Sequence, residues 1–270
     1  MSTNETERLG ILDWGIGGMS FFKHWRQRRP DVPVVYWSDT GVPPYGTLDE
    51  DRIQRRVAAV CRELGDRGAS EVVVACNSAS TAVKSISTAP PTRTIIEHAV
   101  DEACQAVDDV VAPKVTVLGG AQTISSGLYQ RRLAARGVEV DGQVAQPLSG
   151  LVEDGLVSGP RVENALDEIL DGVDAPDAVL LACTHYPAVR ELIEEWVPDA
   201  VVVDPVDRLV DAAARRWPQK AKTPAPVEFV TTGDPDQMAR SAAVAFDVTP
   251  EGIRTIDPEL GKPHDSVCEE

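Results

Sequence analysis

Short, unbroken apolar runs recur along this chain, and they constrain its fold more than any other feature. Residues 71–76 read EVVVAC, 113–120 PKVTVLGG, 178–183 AVLLAC and 200–205 AVVVDP. None of them alternates apolar with polar, as a strand with one wet face would. Strands covered on both faces look like this, and they belong to parallel sheets flanked by helices. RLGILDW at 8–14, VPVVYW at 32–37, TRTIIE at 92–97 and GVEVDGQVA at 137–145 extend the set of strands. Helical stretches fill the gaps. GGMSFFKHWRQRR at 17–29 opens after glycines, and within 48–65 the residues Ile53, Val57, Val60, Cys61 and Leu64 share one helical face. Asp49 is placed to cap that second helix and Gly65 to stop it. Repeated strand–helix units imply an α/β fold with mainly parallel sheet. In such sheets ligands sit at the carboxyl ends of the strands.

Size and charge bound the rest. A chain of 270 residues, 43% hydrophobic and 26% charged, holds one large domain or two small ones with a real core. No apolar run is long enough to cross a membrane, and MSTNETERLG at the start lacks a signal-peptide core, so a cytoplasmic protein is expected. A net charge of −17 repels nucleic acid and anionic membrane surfaces, so neither is expected as a partner. The excess acid is spread along the chain. It suits a protein adapted to high salt and equally an ordinary acidic one; a gain of stability in molar KCl separates the two.

Five cysteines, Cys61, Cys76, Cys104, Cys183 and Cys268, are an odd number in a chain without a secretory signal, which argues against a disulfide framework. No C-x-x-C pair suggests zinc. Cys61 and Cys104 lie in helical patterns and read as buried small hydrophobes. Cys268 lies in a polar tail. His24 and His98 read as structural or surface residues on helices, and His264 belongs to the tail.

Cys76 and Cys183 differ from the others, because each ends a buried-looking strand and is followed by polar residues, Cys-Asn-Ser and Cys-Thr-His. One such cysteine is more often packing than chemistry. Two of them, where helices begin and backbone N–H groups favour anions, suggest reactive thiols. His185 stands two residues after the second thiol, placed to polarise it or move its proton. Asp13 ends the first strand before GIGG, a motif that lacks the dinucleotide spacing. Its glycines read as allowing close backbone approach to a small ligand. A Cys–His pair alone would fit a hydrolase. Two thiols at facing strand ends fit proton transfer on both faces of one carbon, with each group within hydrogen-bond reach of its proton.

At these residues the chain resembles the cofactor-independent aspartate/glutamate racemases. The matching stretches are ILDWGIGGMSF (11–21), YWSDTGVPPYGT (36–47), VVVACNSAS (72–80), IIEHA (95–99), QTISSGLYQ (122–130), PLSGLVEDG (147–155), LLACTHYP (180–187), VVVDP (201–205) and FVTTGD (229–234), in family order over nearly the whole chain. The resemblance implies two similar flavodoxin-like α/β domains, each a mainly parallel sheet flanked by helices, with the active site in the cleft between them. The first would comprise residues 1–98 completed by 208–270, and the second 99–207. It implies interconversion of L- and D-glutamate, supplying D-glutamate for peptidoglycan. Cys76 would act on the D-enantiomer with help from Asp13. Cys183 would act on the L-enantiomer with help from His185, and Glu153 would stand nearby. Asp13, position 14, Pro44, Tyr45, Gly46, Asn77, Ser78, Thr123 and Thr184 would hold the substrate. No metal, PLP or nucleotide is implied, and a homodimer is among the arrangements the family adopts.

The chain departs from the pattern in places. Trp14 stands where the family has a serine that touches substrate. Val42 replaces a usual arginine, Gly120 a usual threonine, and Ser78 a threonine. Trp14 opens two other readings. One is an enzyme for another acid, such as aspartate or a substituted malonate. The other is a non-catalytic binding protein whose pocket the indole fills.

Overall fold

The computed structural model describes residues 7–83, 90–111, 113–217 and 223–260. Ten strands are described: β1 (Arg8–Asp13), β2 (Val34–Ser38), β3 (Ala69–Val74), β4 (Thr92–Thr94), β5 (Lys114–Gly119), β6 (Glu139–Val144), β7 (Ala178–Ala182), β8 (Val201–Val203), β9 (Val227–Thr231) and β10 (Arg254–Thr255). They form two sheets. The first has six strands in the order β10-β9-β2-β1-β3-β4, and the second four in the order β6-β5-β7-β8. Every hydrogen-bonded pair among the described strands runs parallel.

The unbroken apolar runs are accounted for by burial on both faces. In β1 and β2, Leu9, Ile11, Val34 and Tyr36 join one apolar cluster, and Leu12, Val35 and Trp37 join another on the opposite face. The second cluster is closed by the helix Glu50–Asp66, whose Ile53, Val57, Val60, Cys61 and Leu64 are all buried. Each of the four aliphatic side chains contributes about 1.5–3 kcal/mol by leaving water. The first cluster continues through Val115, Val117, Leu180 and Leu181 of the second sheet, so one core underlies both.

The capping expectation holds at one end and shifts at the other. Asp49 Oδ1 accepts from the Arg52 N–H at 2.8 Å. Gly65, expected to stop this helix, lies inside its last turn. The chain leaves at Gly68, whose φ of +84° is the left-handed value that glycine adopts without strain. TRTIIE is strand only over Thr92–Thr94, because Ile96 already begins the helix Ile96–Ala106. Cys104 is half-exposed on that helix, not buried as expected, whereas Cys61 is fully buried. Cys268 and His264 lie outside the described residues. No helix among the described residues is long and apolar enough to cross a membrane.

Candidate active site

Strand ends from both sheets converge on one small cavity of about 30 Å³. Cys76 and Cys183 both line it, one from each sheet, together with Trp14, Pro44, Tyr45, Gly46, Asn77, Ser78, Thr184 and His185. Asp13, Glu153 and Thr123 do not line it. They stand behind the wall, each at most 6% exposed. Gly120, Gln146 and Ser149 line the cavity although the sequence reading placed none of them in the site.

Cys76 follows β3 and caps the short helix Asn77–Ala82. Burial pushes its thiol well up, and the Asp13 charge pushes the same way. The backbone N–H groups of Ala79 and Trp14 oppose that rise. Asp13, at the end of β1, is fully buried. Its Oδ1 accepts from the Gly15 N–H at 3.1 Å and its Oδ2 from the Thr184 hydroxyl at 2.9 Å. Burial raises this carboxyl to about 6, although the His185 charge, the Gly15 N–H and the Thr184 hydroxyl all pull it down.

Cys183 follows β7, and its Sγ lies 3.8 Å from His185 Nδ1. His185 Nε2 lies 2.8 Å from Glu153 Oε2, and the same oxygen accepts from the Ile16 N–H at 2.9 Å. Burial alone would push the imidazole down. Hydrogen bonds with Cys183 and Glu153 outweigh it and hold the ring well above its ordinary value. The ring thus stands between the Cys183 sulfur and the Glu153 carboxylate.

GIGG makes this assembly possible, in a way the sequence did not suggest. A Cβ on Gly15 would collide with the Glu153 carboxylate, and one on Gly17 would lie 2.7 Å from His185 Nδ1 and strike the Thr184 hydroxyl. The close approach is to side chains from the second sheet, where a ligand had been expected. Trp14 sits between the two halves. Its indole Nε1 donates to the Val42 carbonyl at 3.0 Å, and its ring centre lies 6.0 Å from that of His185.

The remaining polar lining is fixed by buried partners. The Tyr129 hydroxyl donates to Asn77 Oδ1 at 2.5 Å, and Asn77 Nδ2 has no partner among the described residues. Ser78 Oγ lies 3.0 Å from Thr123 Oγ1. Tyr45 donates to the buried Asp39 carboxylate, which also accepts from Arg56, Trp37 and Thr232. Among the described residues no three His, Cys, Asp or Glu side chains are grouped to hold a metal ion.

Fold and site together define an α/β enzyme that presents two thiols to one small cavity, each with an ionisable partner close by. Residues 22–213 match the model of the Asp/Glu/Hydantoin racemase family, and the chain belongs to that family. It is 33% identical over 208 residues to a glutamate racemase of Aquifex pyrophilus, covering 75% of this chain and 80% of that one. It is 31% identical over 267 residues to a glutamate racemase of Jannaschia sp. strain CCS1, covering 87% and 95%. The fold is similar to that of a Francisella tularensis glutamate racemase solved in complex with D-glutamate, with a TM-score of 0.82 at 24% identity over 94% of this chain and 99% of that one.

Proposed function

We infer that the protein is a glutamate racemase, a cofactor-independent isomerase that moves the α-proton of glutamate between two thiols. The observation that carries this reading is the placement of Cys76 and Cys183 on one cavity from two different sheets. Inverting a stereocentre requires a base on one face of the carbon and an acid on the other, both within hydrogen-bond reach. The names of relatives at 31–33% identity supply the substrate.

In the proposed mechanism Cys76 removes the α-proton of D-glutamate and Cys183 that of L-glutamate, each returning a proton in the opposite direction. A buried thiol pushed up by burial needs a local acceptor to become a nucleophilic base. Asp13, ionised above about pH 6, serves Cys76. His185, anchored by Glu153, stands beside the Cys183 sulfur to exchange a proton with it. Asn77 Nδ2, the Thr184 hydroxyl and backbone N–H groups near Tyr45 and Gly46 hold the substrate's charged ends, and this orientation supplies part of the rate. Thr123 and Pro44 complete that set, Thr123 by fixing Ser78 and Pro44 by shaping the wall. Residues 1–98 with 208–270 form one domain and 99–207 the other, a division supported by the strands each sheet contains. We propose that the product serves peptidoglycan in the cytoplasm, with a homodimer as one possible assembly.

Trp14 favours one second reading. Its indole lines the cavity where a smaller residue would leave room, so a shorter acid such as aspartate could be the better substrate. Incubation in D₂O with each amino acid decides. Formation of D-glutamate from L-glutamate with one deuterium at Cα is expected. No exchange on glutamate, with exchange on aspartate, would replace the first reading by the second.

A further inference from the structure

Gln146 begins the helix Gln146–Glu153, and its carboxamide reaches the cavity wall. Two glycines make room for it. A Cβ on Gly46 would strike Gln146 Oε1, and one on Gly120 would lie 2.8 Å from the same oxygen. The side chain thus fills the space between the Tyr45–Thr47 turn and the residue that follows β5.

The amide is held at both ends. Oε1 accepts from the Ala121 N–H at 3.3 Å, and Nε2 donates to Ser149 Oγ at 3.0 Å. Ser149 Oγ in turn donates to the Gln146 carbonyl at 2.9 Å. These contacts settle which end is which, since a flipped amide would set its NH₂ against the Ala121 N–H. One of the two Nε2 hydrogens is left without a partner among the described residues. Ser78 Oγ borders the same space, 3.4 Å from the Gly120 Cβ position. No acidic side chain is among the residues lining the cavity. Gln146 Nε2 lies 3.3 Å from the Gly46 Cβ position, so a carboxamide N–H and a hydroxyl border this end of the cavity beside the Gln146 oxygen.

We propose that Gln146 is a specificity-determining residue whose free Nε2 hydrogen donates to the carboxylate at the end of the substrate's side chain. The proposal rests on the glutamate reading above. A hydrogen bond to an ionised carboxylate is stronger than one to a neutral amide oxygen. Glutamine, whose shape matches but whose acceptor is neutral, would therefore exchange more slowly than glutamate.

The test is steady-state racemisation of glutamate, with α-exchange of glutamine in D₂O, by the wild type, Gln146→Glu and Gln146→Ala. Gln146→Glu keeps the shape and still accepts from the Ala121 N–H, but it faces the substrate carboxylate with a second carboxylate. It is expected to raise KM for glutamate by about 30-fold or more with kcat within about threefold, and Gln146→Ala by about tenfold. In the wild type, the Gln146 side-chain amide resonances are expected to shift when glutamate is added and to stay unmoved with alanine. Normal turnover with KM unchanged in both variants, or unmoved amide resonances at saturating glutamate, would overturn the proposal alone. No exchange on glutamate by the wild type would overturn the glutamate reading and this proposal with it.

Discussion

The hydroxyl of Thr184 donates to Oδ2 of Asp13 at 2.9 Å, so the loop after β7 is bonded to the tip of β1 through a buried carboxylate. That carboxylate is oriented on both oxygens and lies within electrostatic reach of Cys76. Its charge therefore acts on Cys76 while its hydrogen bond ties in Thr184, the neighbour of Cys183.

The pH profile should show this group. With Asp13 raised to about 6, kcat/KM is expected to fall as the pH drops through that value, because a protonated carboxyl cannot accept from Cys76. Thr184→Val removes a contact that lowers the Asp13 value, so its acid limb should move to higher pH. Stability carries the opposite sign. The folded carboxyl binds its proton more tightly than the unfolded one, so its ionisation destabilises the fold above about pH 6 and not below about 4. Asp13→Asn should raise stability in urea melts at pH 8 by up to about 3 kcal/mol relative to its effect at pH 4.

Each thiol is expected to be indispensable. Cys76→Ser and Cys183→Ser should each lower kcat/KM by about 10³-fold or more, since a serine hydroxyl is a far weaker acid at the same position. Thermal melts within a few degrees of wild type would show that the loss is chemical. Retention of a tenth of the activity by either variant would remove that thiol from the proton path.

His185→Asn and Glu153→Gln act on one side of the reaction but should slow it from both. Two enantiomers have equal free energy, so kcat/KM must fall by the same factor in either direction. A loss of about 10²–10⁴-fold is expected for His185→Asn, with a smaller loss for Glu153→Gln. Circular-dichroism assays started from pure L- and pure D-glutamate check both the size and the equality.

Trp14→Ser empties the space beside His185 and breaks the bond to Val42. Selectivity should loosen: the preference for glutamate over its one-methylene-longer homologue, 2-aminoadipate, is expected to fall by about tenfold. Relative kcat/KM values for the two acids measure this. An unchanged ratio would place the indole outside the region that senses side-chain length.

Arg56→Ala tests the support of the Tyr45 turn. Arg56 clamps Asp39 through Nε at 2.7 Å and Nη2 at 2.5 Å, and Asp39 is wholly buried. Removing the cation leaves that charge unpaired inside the protein, at a cost of about 3–5 kcal/mol in urea unfolding.

Much of this could be read beforehand, for definite reasons. β1, β3, β5 and β7 are buried on both faces, and that burial writes itself as unbroken Val and Leu. A cysteine one or two places beyond such a strand must then lie at the sheet's carboxyl edge. β10 was not legible, because its two residues, Arg254 and Thr255, are both exposed and carry no apolar signal. Gln146 and Ser149 were missed because polar residues in the first turn of a helix look like capping. The only trace of their role was their nearness to Glu153 on the same helix. The partner of GIGG was hidden for a different reason: Ile16 and Glu153 meet across 137 positions, and no local pattern encodes that meeting.

β9 pairs with β2 along its whole length, although it is made nearly two hundred residues later. During synthesis β2 must therefore wait with one edge unpaired, a natural landing place for a stray strand from another chain. That edge stays open until β9 is made, so the exposure to aggregation lasts through the synthesis of everything between them.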